Sequence, residues 1–319
     1  MKKKIMFYLL IFLVAVFAII VVFTAWLIFD ENLRNPVKVL QREYEVKEVA
    51  AADEYIIRIG NIERLYKDMM MTAGDEDSIR FTISMPKVMT EESIPLVFIM
   101  GGLEIGRNSL KYIPEHGNNI LIAYEYPYSP KYWYDGMAIE QIPLIRNAVL
   151  SAPAQMAAVI TWAAKQKWAD PDRINLLGYS FGALFVPSVH HLTQEKGLKI
   201  HSTILAYGGT NINQLLNNNL KMKPEWVKSI TAYFASKAIW PVDPAWHLPK
   251  LQGQFLVING DHDHQIPKLS SENMRKLTPE PKTIITLNEG HMHPDKPELT
   301  AKIIDISRKW LSEMKTVNP

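Results

Sequence analysis

The chain has 319 residues, of which 48% are hydrophobic and 21% charged, proportions ordinary for a globular protein able to bury a sizeable core. Its 35 basic and 33 acidic side chains leave a formal charge of +2, without the strong basic excess of a nucleic-acid binder. The absence of cysteine excludes disulfides, thiolate metal sites and cysteine nucleophiles together.

The first element in chain order is apolar. Lys2, Lys3 and Lys4 precede an uncharged run from Ile5 to Phe29. As a helix rising about 1.5 Å per residue, these roughly 25 residues span about 37 Å, enough to cross a hydrocarbon core. A cleaved signal peptide is the rival reading, but its apolar region is shorter and ends in a small-x-small site. Here Ile19, Ile20, Val21 and Val22 follow the only suitable small residues. Trp26 suits an interfacial anchor. The expectation is an uncleaved transmembrane signal anchor over 1–30. Lysines on the short side place the N-terminus in the cytoplasm and the remainder outside it, periplasmic in a bacterium, although Arg34, Lys38 and Arg42 reduce the bias.

Residues 31–54 are mixed polar and charged and read as a stalk or lead-in, with a helix around Val37 to Val46. From 55 to 319 the punctuation is that of an α/β domain. "IERLYKDMMM" and "SIRFTISM" flank Thr72-Ala73-Gly74-Asp75 and predict an antiparallel pair. "PLVFIM" (95–100) and "NILIAYEY" (119–126) have the form of strands buried on both faces. A helix is expected from Pro153 to Lys167, with Met156, Ile160, Ala163 and Ala164 on one face and Pro153 in its first turn. Asp170-Pro171-Asp172 ends it, and strands follow at "RINLL" (173–177), "HSTILAY" (201–207), "GQFLVIN" (253–259) and "KTIITL" (282–287). The last helix carries Leu299, Ile303, Ile306 and Trp310 on one face. Strands alternating with helices imply a mostly parallel, doubly wound sheet with right-handed crossovers. Residues 208–249 are too long for a plain connection and read as a helical cap or a surface insertion, with helices around Asn213–Leu220 and Glu225–Ile239.

Gly178-Tyr179-Ser180-Phe181-Gly182 lies between the strand "INLL" and the helix-forming "ALFVPSVHHL". A G-x-S-x-G sequence in a strand–turn–helix setting holds its serine on a sharp, strained turn, where flanking glycines let neighbouring backbone come close. The hydroxyl is then exposed at a helix start, whose free N–H groups favour developing negative charge. Ser180 is therefore a candidate nucleophile rather than a solvated turn residue.

With these features the chain resembles the α/β-hydrolase superfamily from Ile62 to Leu311, most strongly in "FIMGGLEIGRNSL", "ADPDRINLLGYSFGALF", "FLVINGDHDHQIP" and "LNEGHMHPD". It looks closest to the serine esterases and the dienelactone-hydrolase or peptidase-like branch. The resemblance implies a Ser…Asp…His order. Serine needs a base within hydrogen-bond reach, and histidine titrates near working pH. His291, directly after Gly290, matches the family position for the base, with His293 as the alternative. Counting from Gly260 in "NGDHDHQIP" gives Asp263 as the acid, with Asp261 as the alternative. The oxyanion hole would combine the amide of Phe181 with one from the loop after "VFIM". This chain has Met100-Gly101-Gly102-Leu103 where many relatives have a His-Gly pair, so the second donor is Gly102 or Leu103. His262, His264, His291 and His293 could instead ligate a metal, but they lie in loops and no H-E-x-x-H is present.

"YEYPYSPKYWYDG" (124–136) either lines an acyl pocket or packs under a loop, and Asp172-Arg173 reads as structural. The implied function is membrane-anchored serine hydrolysis of a small-molecule ester, thioester or amide through an acyl-enzyme, without cofactor, metal or nucleic acid. An inactive binding module and an acyltransferase are the alternatives.

Overall fold

The computed structural model describes residues 2–42, 44, 46–59, 62–73, 77–89, 93–127 and 141–318. Among them, nine strands form one sheet: β1 (Val46–Ile59), β2 (Ile62–Ala73), β3 (Asp77–Pro86), β4 (Ile94–Met100), β5 (Ile120–Tyr124), β6 (Ala169–Tyr179), β7 (Ser202–Ala206), β8 (Gln254–Gly260) and β9 (Lys282–Leu287). Their order is β1-β2-β3-β5-β4-β6-β7-β8-β9. Strands β1, β2, β3 and β5 pair antiparallel, while all pairs from β5 to β9 are parallel. This is the mostly parallel sheet that the alternating elements predict.

Apolar layers on both faces bury the centre of the sheet, and β4 shows how. Leu96, Phe98 and Met100 face one core, which includes Val149 and Met156 of α3 (Ile142–Ala163) and Val186 and Val189 of α4 (Gly182–Glu195). Val97 and Ile99 face the other core, under Leu299, Ile303 and Trp310 of α9 (Pro297–Glu313), the helix after α8 (Lys268–Leu277). The alternation follows from the two-residue side-chain period of a strand.

Three elements differ from the sequence reading. Strand β1 begins at Val46, inside the stretch read as a stalk. It pairs with β2 as a largely exposed ribbon, so it carries no apolar run for a sequence to display. Helix α3 begins at Ile142, with a proline at its start, and Pro153 lies in its interior rather than its first turn. Strand β6 already pairs with β4 at Ala169, and the register shift between Pro95 and Leu96 absorbs the 170–173 turn as a bulge. Arg173 there pairs with Asp170 at 2.6 Å, a structural contact. Residues 74–75 of the proposed hairpin turn and 128–136 of the tyrosine-rich stretch lie outside the described residues.

Between β7 and β8 run α5 (Ile212–Asn219), α6 (Glu225–Ala238) and the single turn α7 (Pro244–His247). At the other end of the chain, α1 (Lys2–Leu33) contains, over Lys4–Glu31, a helix long and apolar enough to cross a membrane by length and composition. The short α2 (Pro36–Leu40) buries Val37 and Leu40 in the α3/α4 core.

Arg64 of β2 is a charged knot inside this frame, only 1% exposed. Its guanidinium donates to Ser84 Oγ (2.8 Å), Ser84 O (3.0 Å), Gly117 O (2.8 Å) and Asn119 O (2.6 Å). Burial lowers its pKa to about 10, which leaves it protonated at neutral pH. Arg64→Met would strand two loop carbonyls without donors, each costing about 1–3 kcal/mol. The variant is expected to melt about 6–12 °C below the parent in a thermal-denaturation assay, from a loss of about 3 kcal/mol.

Candidate active site

The site begins where β6 stops. Ser180 follows Tyr179 with φ 53°, a left-handed conformation that a side chain adopts at a cost of about 1–3 kcal/mol. Two contacts hold it there: Ser180 N–H donates to Ala206 O of β7 (2.8 Å), and Ser180 O accepts from Ala183 N (3.0 Å). Helix α4 then starts against the end of β4. A Cβ on Gly182 would lie 1.9 Å from Met100 O, and one on Gly178 would lie 2.7 Å from Ala183 Cα. Only glycine permits this packing, which is why the serine is flanked at two residues on either side.

The strand order explains the location. The chain leaves β4 for β5 on one side and returns through α3 to β6 on the other. Such a reversal opens a crevice at the carboxyl ends of the two strands, and Ser180 stands beside it.

Parallel neighbours deliver their following loops to the same edge. Ser180 Oγ lies 2.7 Å from His291 Nε2, in the loop after β9, and His291 Nδ1 lies 2.7 Å from Asp263 Oδ2, in the loop after β8. An ionised carboxylate can only accept, so Nδ1 carries the proton and Nε2 accepts from the serine hydroxyl. The second carboxylate oxygen, Oδ1, accepts from Gln265 N (2.8 Å) and Ile266 N (3.0 Å), which fixes its orientation. The His291 and Asp263 side chains are 7% and 3% exposed, so water competes little for their contact.

The alternative residues sit elsewhere. Asp261 is half exposed beside His262, and His293 pairs with Asp295 at 3.2 Å in solvent. The geometry brings Asp263 and His291 to Ser180, and not Asp261 or His293.

Phe181 is the N-cap residue of α4, and its ring packs on Tyr126 and Phe185 at centroid distances of 5.3 and 5.0 Å. Gly102 lies in the loop leaving β4. There Gly102 O accepts from Ile105 N and Gly106 N (both 3.0 Å), and Tyr126 Oη donates to Gly101 O (2.8 Å). Leu103 is buried by its side chain. Phe181 and Gly102 thus each lie two residues past a strand end, β6 and β4, where the start of α4 at Gly182 packs against Met100 O.

Tyr207 escaped the sequence reading. Its ring meets that of His291 edge-to-face at 5.5 Å and 88°, it has φ 57°, and it is fully buried. Its hydroxyl has no hydrogen-bond partner among the described residues. Burial first, and then the nearby charges of Asp263, Glu289 and Asp261, hold its pKa well above the ordinary tyrosine value. The available signal was position: Tyr207 directly follows β7, the strand next to β6, immediately before Gly208-Gly209. Tyr207→Phe keeps the packing and removes an unpaired polar group, so it is expected to retain the parent's reactivity at Ser180 and gain up to about 1 kcal/mol in denaturation. Tyr207→Ala removes the wall behind His291 and should lower the reaction rate of Ser180 with a fluorophosphonate, measured by single-turnover labelling.

No protein-family model matches the sequence, and no curated protein matches it. Solved structures do match. Acetyl xylan esterase 1 from a Thermoanaerobacterium species aligns with TM-score 0.63 at 16% identity, covering 90% of this chain and 93% of that one. An acetyl xylan esterase from a Paenibacillus species aligns with TM-score 0.60 at 14% identity, covering 88% and 93%. An acylaminoacyl peptidase from Pyrococcus horikoshii aligns with TM-score 0.54 at 12% identity, covering 83% of this chain and half of that longer one. With its mostly parallel sheet, helices on both faces and helical insertion after β7, the chain has the α/β-hydrolase fold.

Proposed function

We propose that the protein is a membrane-anchored serine hydrolase that cleaves a carboxylic ester, thioester or amide through an acyl-enzyme. One observation carries the reading: a serine at φ 53° whose Oγ is 2.7 Å from a histidine, itself 2.7 Å from a buried carboxylate. A turn serine of purely structural use does not need a strained backbone and an oriented base together.

In the proposed reaction, Ser180 Oγ attacks the acyl carbonyl carbon while its proton passes to His291 Nε2. The electron pair displaced onto the carbonyl oxygen is stabilised by the amides of Phe181 and Gly102. Asp263 holds the Nδ1–H tautomer and stabilises the imidazolium. Collapse of the tetrahedral species breaks the acyl bond, and His291 returns the proton to the leaving alcohol, thiol or amine. Water, deprotonated by the same Nε2, then attacks the acyl-serine and releases the acid. Two of the similar structures bear the name of esterases and one of a peptidase, which supports ester hydrolysis first.

No residue in the most apolar window of α1 is buried within the protein. A continuous apolar surface of that length is stable in lipid and not in water. Lys4 and its two preceding lysines put the short side in the cytoplasm and the α/β domain outside.

Two experiments test this. Ser180→Ala should abolish labelling by a fluorophosphonate, and Asp263→Asn and His291→Ala should each cut ester turnover by about 10³-fold or more. Asp261→Asn and His293→Ala should stay close to the parent. Equal labelling of the alanine variant would end the mechanism, and reversed ranking within a pair would move the assignment by two residues. For the anchor, the full-length protein should remain in the pellet after alkaline carbonate extraction, and added protease should reach the domain in spheroplasts. Recovery in the supernatant, or protection until lysis, would overturn attachment or sidedness respectively.

A further inference from the structure

Helix α6 carries an apolar stripe on the side away from the domain. Ala232 and Ser236 are its buried face. On the opposite side, Trp226 is 66% exposed and Ile230 is 50% exposed, one turn apart. Phe234 continues the line at the i+8 position, with Tyr233 and Lys237 beside it. Lys237 Nζ sits 5.6 Å from the centre of the Tyr233 ring. Scattered exposed hydrophobic residues need no explanation, but a stripe bordered by Trp, Tyr and Lys is the composition of a helix lying in a membrane interface.

The stripe is continuous with the anchor. Phe234 stacks on Phe23 of α1 at 6.3 Å and 28°, and Phe23 in turn stacks on Trp26 at 6.0 Å. Lys237 forms an ion pair with Glu31, just past the apolar run. Phe23 precedes Phe29 by six residues, so it sits roughly 9 Å inside the apolar run at about 1.5 Å per residue. With α1 in a bilayer, Phe234 reaches the depth of the acyl chains, and the Glu31–Lys237 pair marks the headgroup level.

We propose that α6 is a second membrane contact, lying in the phospholipid interface beside α1 with Trp226 and Ile230 in lipid. The proposal rests on the anchor reading of α1. It sets the catalytic machinery close to the bilayer. Ser229 of α6 donates to Asn217 Oδ1 of α5 (3.1 Å), and α5 clasps the loop after Asp263 through Asn218 to His264 O (2.8 Å) and Asn219 to Gln265 O (2.8 Å). Two helices separate the acid loop from lipid.

The chain lacks cysteine, so single labels are clean. Full-length Phe17→Cys, Ile230→Cys, Trp226→Cys and Lys309→Cys, each carrying a nitroxide, would be reconstituted in phosphatidylcholine–phosphatidylglycerol vesicles. Retained fluorophosphonate labelling of Ser180 certifies each fold, and Trp226→Cys serves should Ile230→Cys fail that check. Spin relaxation by oxygen, which partitions into lipid, would be compared with relaxation by a water-soluble nickel chelate. Oxygen should dominate several-fold at 17 and at 230 or 226, and nickel at 309, on the helix covering the other face of the sheet. Oxygen at 17 with nickel at both 230 and 226 would overturn the α6 contact and leave the anchor intact. Nickel at 17 would overturn the anchor reading and this proposal with it.

Discussion

The close approach of α4 to the end of β4 is the constraint on which the site depends. Gly182 lies so near Met100 O that a single added carbon would force the helix off the sheet. Because α4 starts there, the chain leaving β6 has two residues in which to turn from strand to helix, and Ser180 absorbs the strain at φ 53°. The hydrogen bond from Ser180 N to Ala206 O then ties the strained residue to β7. Packing of two backbones, and not any property of serine, sets the position of the hydroxyl.

The partners of Ser180 arrive by topology. Strands β6, β7, β8 and β9 run parallel, so the residues after each lie along one edge within three strand spacings of Ser180. Asp263 and His291 are 28 residues apart in sequence, yet neighbouring strands bring them to 2.7 Å. Tyr207, directly after β7, fills the space behind the His291 ring. Side chains from three consecutive strand ends therefore limit one another's motion, which preserves the serine–histidine distance without substrate.

How much of this was legible in the sequence follows from what each feature depends on. The central strands were legible because burial on both faces leaves unbroken apolar runs, as in Ile94–Met100 and Ile120–Tyr124. Ser180 was legible because close backbone approach demands glycine at two fixed offsets. Strand β1 was not, since its partner is one neighbouring ribbon and most of its residues face solvent. The start of α3 was hidden by Pro153, which marks first turns more often than interiors. Tyr207 and the α6 stripe depend on contacts between segments far apart in the chain, with His291 and with Phe23, and no local pattern encodes such a meeting.

The insertion after β7 is held by polar bonds at its ends and by Ile212, Val242 and Leu248, which join the α3/α4 core. Asp243 accepts from Asn211 N (3.1 Å), Ile212 N (2.8 Å) and Ala245 N (3.0 Å), closing the segment on itself. His247 of α7 donates through Nε2 to Pro241 O (2.7 Å), so its Nδ1 must be the acceptor of the 3.0 Å bond from His191 Nδ1 of α4. Burial lowers the His247 pKa to about 3, so the ring stays neutral and its Nδ1 lone pair is available to the His191 Nδ1–H. Neutral rings therefore join the insertion to the helix that begins beside Ser180. Among the described residues α5 and α6 make no such bond to α4; α5 packs on the Asp263 loop and α6 on α1, with Arg146 Nε of α3 donating to Ala238 O (3.0 Å) at the end of α6. Helix α6, which touches the anchor through Phe234 and Lys237, is thus also coupled through α5 to the position of the acid loop.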